Sequence, residues 1–200
     1  MAFITPFRMM LSIWILLVTG GFAMVLRYQM NPGAMGIPDS EVSQAINGPT
    51  QDSNSWKLQV FLHPECTCSR ASLEELTRLE RDLGAHMEVA IYISTRLPRE
   101  QTLQSTLYQK AMRNANWTVK LDLEAQIASA MEAYTSGACF LYDPNGQLAF
   151  AGGVTASRGH EGPSAGQVAI RNAILSSSTP STLAQTPVYG CEILDANASI

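Results

Sequence analysis

The four cysteines of this chain fall at Cys66, Cys68, Cys139 and Cys191, and the first two are separated only by Thr67, in the stretch His63-Pro64-Glu65-Cys66-Thr67-Cys68-Ser69-Arg70-Ala71-Ser72. A thiolate attacks disulfides and also binds soft metals, so such a pair suits thiol–disulfide exchange or the capture of copper(I) or zinc. Cys66 is the expected nucleophile and Cys68 its partner. Cys139 and Cys191 are candidates for a resolving or supporting role, although Cys139, in the apolar run ACFLY, reads equally well as an ordinary core residue. Around them, His63 precedes Cys66 by three residues and either tunes a thiolate or ends a strand. Arg158 and His160, in the glycine-rich piece SRGHEG, either bring positive charge toward the sulfurs or lie solvated in a loop. A metal reading draws on Cys66, Cys68, Cys139 and His160; the redox reading needs no cofactor.

The elements that must position these groups are legible from periodicity. In WKLQVFLH, residues 56–63, Leu58, Val60 and Leu62 alternate with Phe61 also apolar, which predicts a buried strand that stops at Pro64. Ser72 and Glu75 fit a capping box, and Leu73, Leu76, Leu79 and Leu83 recur at helical spacing up to Gly84; the helix starts at Ser72 or as early as Cys68. MEVAIYI predicts a second strand. Residues 97–115 and 123–134 favour helix, with a short piece around Trp117–Leu121 between them. ACFLYD and QLAFAGG flank Pro144-Asn145-Gly146, a hairpin signal because Asn-Gly supplies the positive φ of a tight turn. A last apolar period runs through Val168, Ile170, Ile174 and Leu175.

On either side of this body, residues 56–177, the character changes. Met9–Leu26 is uncharged between Arg8 and Arg27, about 27 Å as a helix, close to a ~30 Å hydrocarbon core, so residues 1–27 are expected to form a transmembrane anchor or a signal segment. Residues 28–55, rich in Pro and Gly, read as a linker. Residues 178–200 read as a flexible C-terminal tail with a docking segment around Val188, Tyr189, Cys191 and Ile193. Net charge is −4, and residues 31–200 carry 11 basic against 17 acidic residues, an acidic body that argues against nucleic-acid binding. Charged residues make up 15%, hydrophobic ones 46%, which excludes disorder throughout. Four cysteines in 200 residues are too few for a disulfide-stapled mini-fold.

The succession of strand, helix, strand, helical region, hairpin and helix, with a cysteine pair between the first strand and first helix, resembles the thioredoxin-like fold over about residues 55–177. The pieces 63–72, Leu141-Tyr-Asp-Pro-Asn-Gly146 and 151–162 together resemble the RedB-type, membrane-attached thioredoxin-like proteins of bacteria. The resemblance implies an α/β domain with a central mixed sheet flanked by helices and a thiol–disulfide oxidoreductase activity on protein thiols or disulfides. It also implies an inner-membrane tether with the domain on the extracytoplasmic or periplasmic side. The chain departs from thioredoxin in having Cys-x-Cys in place of Cys-x-x-Cys. It departs again at Ser136-Gly137-Ala138-Cys139, where thioredoxins carry a cis-proline facing the redox pair; by that analogy Cys139 lies near Cys66 and Cys68. Peroxiredoxins keep Thr or Ser three residues before the reactive cysteine, and His63 stands there in this chain. The alternatives are a thioredoxin-like copper or zinc carrier and a non-catalytic binding module.

Overall fold

The computed structural model describes residues 6–47, 55–176 and 182–196. The chain divides into two compact units, Met1–Asn31 and Pro32–Ile200. Among its described residues the first holds one helix, α1 (Pro6–Gln29), whose 24 residues rise about 36 Å. It is long and apolar enough to cross a membrane.

The second unit is built on β1 (Trp56–Leu62), α3 (Thr67–Leu83) and β2 (Met87–Thr95), preceded by a short helix α2 (Ser40–Asn47). β1 and β2 pair in parallel with Val60 opposite Ile91, as a helical crossover requires. After β2 come α4 (Arg99–Gln104), α5 (Thr106–Ala111), β3 (Trp117–Leu123) and α6 (Gln126–Ala130), then the hairpin β4 (Ala138–Tyr142) and β5 (Leu148–Gly152), α7 (Ala165–Leu175) and β6 (Ala184–Gln185). The sheet order is β3-β2-β1-β4-β5-β6. β4 runs antiparallel to β1, with Cys139 opposite Val60, and β5 antiparallel to β4. A parallel β1–α3–β2 unit continued by an antiparallel hairpin on the far side of β1 is the thioredoxin-like topology, here extended by β3 at one edge and β6 at the other.

β1 is central, so side chains on both its faces are buried. Leu58, Val60 and Leu62 join Leu73, Leu76, Leu79 and Leu83 of α3 and Ile170 and Ile174 of α7 in one core. Phe61 points the other way, stacked on Tyr92 at 4.9 Å between ring centroids and edge-on to Phe140 at 5.9 Å, in a second core with Ala128 of α6. Burying each such leucine contributes about 1.5–3 kcal/mol, and it is this packing rather than helix propensity that holds α3 in place.

Several elements differ from their expected form. Residues 28–55 contain α2, which sets Val42 and Ile46 against the second core and receives a 3.1 Å hydrogen bond from the Tyr142 hydroxyl at Ser43 Oγ. The Ser72–Glu75 pattern caps nothing, because α3 has already begun at Thr67 with Cys66 as its N-cap. Glu75 is instead fully buried and accepts hydrogen bonds from Arg78, from Gly162 N–H at 2.7 Å and from Gln167 Nε2 at 2.7 Å, tying α3 to the loop before α7. The piece at Trp117–Leu121 belongs to a full edge strand. Residues 182–196, the described part of the expected tail, lie along the sheet: β6 pairs with β5, and Val188 and Ile193 enter the second core.

Candidate functional site

The turn carrying the cysteine pair leaves the C-terminal end of β1, the end at which open α/β sheets place their sites. Pro64 ends the strand, and Cys66 N–H returns to His63 O at 3.2 Å to close the turn. Cys66 then takes an extended conformation (φ −80°, ψ 119°) and Cys68 sits in the first turn of α3. The pair therefore straddles the helix N-terminus, outside both mid-strand and mid-helix. Two serine hydroxyls fasten the turn. Ser69 Oγ donates to His63 O at 2.9 Å and lies 2.7 Å from Ser136 Oγ, which in turn accepts His63 N–H at 2.9 Å. Ser136, just before β4, is the residue that meets the cysteine turn. Neither serine stood out in the sequence, since a hydroxyl that pins backbone has no spacing signature.

None of the four cysteines is joined in a disulfide. The sulfurs that gather are those of Cys66, Cys68 and Cys191. Cys191 N–H donates to Cys66 Sγ at 3.2 Å, Ser69 N–H donates to Cys66 O at 3.1 Å, and the thiols of Cys68 and Cys191 lie near enough to act on the same sulfur. These donors, led by the Cys68 thiol, hold the Cys66 thiol at about 4 against the opposing effect of burial. Its partners move the other way. Donating to Cys66, together with burial and the Cys66 charge, pushes Cys68 strongly up. Burial, then the hydrogen bond to Cys66 and its charge, pushes Cys191 up to about 12, with Arg158 opposing. The arrangement thus favours the thiolate on Cys66 and the neutral thiol on Cys68 and Cys191. The peptide dipoles at the α3 N-terminus favour the same charge.

Arg158 approaches from the loop after β5 and donates through Nη1 to Gly190 O, so its charge lies beside Cys68 and Cys191. His63 turns its ring back on its own turn, where Nδ1 accepts Glu65 N–H at 3.3 Å. His160 is exposed in the loop. Cys139 occupies the first core, fully buried, and its thiol donates to Gly137 O at 3.3 Å while burial pushes it up. Strand alternation puts Cys139 on the same face as Leu141. The third sulfur at the site is consequently Cys191, and Cys139 packs among leucines. The expected metal set of Cys66, Cys68, Cys139 and His160 is likewise not drawn together. Among the described residues no three His, Cys, Asp or Glu side chains form a metal-holding group.

Cys66 is only 4% exposed, yet it borders a surface cavity of about 220 Å³ walled by Pro64, Glu65, Thr67, Arg70, Thr106, Leu107 and Lys110. A larger hollow of about 550 Å³ near Glu80 and Asn116 is lined by no cysteine.

No family model and no curated protein sequence matches the chain. Among solved structures, an uncharacterized conserved protein from Geobacillus kaustophilus matches with a TM-score of 0.56 at 20% identity, over 82% of this chain and 89% of that one. A hypothetical protein from Sinorhizobium meliloti gives 0.55 at 19% identity, over 82% and 91%. Looser matches are thiol–disulfide oxidoreductases of the thioredoxin fold, such as a putative thiol:disulfide interchange protein DsbE from Chlorobium tepidum, with a TM-score of 0.43 at 16% identity over 74% of this chain and 94% of that one. The first two likenesses describe the fold.

Proposed function

We propose that the chain is a membrane-tethered, RedB-type thiol–disulfide oxidoreductase that uses a Cys-x-Cys site, with Cys66 as its nucleophile and protein thiols or disulfides as its substrates. The observation that carries this reading is the place of Cys66 at the N-terminus of α3, with its Sγ receiving Cys191 N–H at 3.2 Å, surroundings that favour a thiolate there. Only the thiolate attacks a disulfide, and a sulfur already ionised at neutral pH is also a good leaving group. In the first step Cys66 Sγ bonds to one sulfur of a substrate disulfide while the other sulfur departs with the electron pair and takes a proton from solvent. A second thiol then attacks Cys66 Sγ and releases the substrate reduced, leaving the enzyme oxidised by two electrons. Run backward, the same steps oxidise a substrate dithiol.

The tether rests on α1, and the extracytoplasmic or periplasmic placement rests on the chemistry, since protein disulfides persist in oxidising compartments. Two of the RedB-like pieces meet at the site: the 63–72 stretch supplies both cysteines, while 151–162 brings Arg158 beside Cys68 and ends at Gly162, which bonds Glu75 of α3.

Disulfide exchange with a protein disulfide, measured on the full-length protein, tests the reading. Cys66→Ser should abolish turnover and Cys139→Ala should leave it in place, whereas a Cys66→Ser protein with the wild-type rate would remove the basis of the proposal.

A further inference from the structure

The segment that carries Cys191 is fastened by backbone on both sides of the sulfur. Val188 O accepts Gly33 N–H at 2.8 Å, Cys191 O accepts Ser136 N–H at 2.8 Å, and Ile193 N–H donates to Tyr134 O at 2.7 Å. Arg158 holds Gly190 O. Gly190 passes so close that a Cβ there would stand 1.8 Å from Ser136 O, so only glycine permits this approach. The chain from Val188 to Ile193 is thus a strap laid over the start of β4, and its one cysteine has its N–H on the sulfur of Cys66.

Cys68 is placed less well to bond Cys66. Only Thr67 separates them, so a Cys66–Cys68 bond would close a strained ring at the start of α3. Cys191 comes from a separate segment, and its bond to Cys66 closes no such ring.

We infer that Cys191, and not Cys68, is the resolving thiol of this protein, delivered to Cys66 by the C-terminal strap. This rests on the exchange reading above. When a substrate sulfur is bound to Cys66, Cys191 Sγ gives up its proton, bonds to Cys66 Sγ and expels the substrate thiolate, which takes the proton. The Cys66–Cys191 disulfide has then received the two oxidising equivalents of the substrate disulfide. Because Cys191 lies on an exposed stretch, a reducing dithiol attacks its sulfur and expels the Cys66 thiolate, the better leaving group of the two.

The test uses full-length reduced protein exposed to oxidised glutathione, quenched with alkylator and cleaved with trypsin. Cys66 and Cys68 share the peptide 58–70, and Cys191 lies in 172–200. The expected product is a disulfide joining these two peptides, in the wild type and equally in Cys68→Ser, while Cys191→Ser accumulates glutathione on Cys66 with a lifetime at least about tenfold longer, since the intramolecular thiol is lost. The strap's fastenings are backbone bonds, so Cys191→Ser retains them. A Cys66–Cys68 disulfide within peptide 58–70 with Cys191 alkylated, or equally rapid clearance of the adduct in Cys191→Ser, would overturn the inference and leave the exchange reading standing. If glutathione never reaches Cys66 in any variant, the exchange reading fails, and this inference with it.

Discussion

Oxidation should stabilise this protein far more than a Cys-x-Cys bridge can. Cys66 and Cys191 are 125 positions apart in the chain, and closing a loop of that length removes unfolded-chain entropy equivalent to about 5 kcal/mol at 25 °C, whereas a three-residue ring removes under about 2 kcal/mol. The reduced state has its own support, and pH controls it. Cys66 is held at about 4 in the fold against an unfolded value of 9.0, so the thiolate's contribution to reduced stability is fully present above pH 9 and is lost as pH falls toward 4. The gap between oxidised and reduced stability is therefore widest near pH 4 to 5 and narrows toward pH 9. Above that, Cys191, pushed up to about 12, acts in the opposite sense, because the preference of the fold for its neutral form is lost as pH rises through 12. Urea unfolding of full-length protein in mild detergent, followed by the fluorescence of buried Trp56 and Trp117, measures the gap at pH 5 and pH 8.5. A gap of several kcal/mol at pH 5, smaller at pH 8.5, lost in Cys191→Ser and retained in Cys68→Ser, is expected. A gap below about 2 kcal/mol at pH 5, or one that widens between pH 5 and 8.5, would refute the loop assignment or the sign of the Cys66 shift.

Two further substitutions follow from the same contacts. Gly190→Ala drives a methyl into Ser136 O and should lift the strap, costing roughly 1–3 kcal/mol in urea unfolding and speeding alkylation of Cys68, with unchanged Cys68 alkylation as the contrary result. Glu75→Ala takes the carboxylate acceptor from the part-buried Gly162 N–H and leaves Gln167 Nε2 only Val154 O and Gly162 O; a loss of roughly 1–3 kcal/mol in the same titration is expected, and a loss under about 0.5 kcal/mol would mean that the carboxylate does not tie α3 to the loop.

The parts of the fold that were readable in the sequence are those whose patterns are local. The alternation of Leu58, Val60 and Leu62, the leucine period of α3 and the Asn145-Gly146 turn each state an element within a dozen residues, and their order states the topology. α2 was hidden because only Val42 and Ile46 mark its buried face. β3 was reduced to a short piece because an edge strand keeps polar residues, Thr118, Lys120 and Asp122, between its apolar ones. Ser72 and Glu75 have the spacing of a cap, but spacing does not tell whether a glutamate turns back to its own helix or inward to a loop 87 residues away. At the site, the cysteine pair and its place at the helix start were legible. The third sulfur was not, because the choice between Cys139 and Cys191 depends on which face of β4 points where and on a strap whose partners, Tyr134 and Ser136, lie more than fifty residues upstream.

The claim on which the account depends is that Cys66 is a thiolate at neutral pH, and its alkylation rate as a function of pH tests it most directly. Reduced full-length protein is pulsed with iodoacetamide between pH 3 and 9, and modification of each cysteine is read by peptide mass. With the Cys66 thiol held at about 4, its rate should rise between pH 3 and 5 and then stay level to pH 8. A rate that climbs about tenfold per pH unit up to ~8.5, as for an unperturbed thiol, would contradict it.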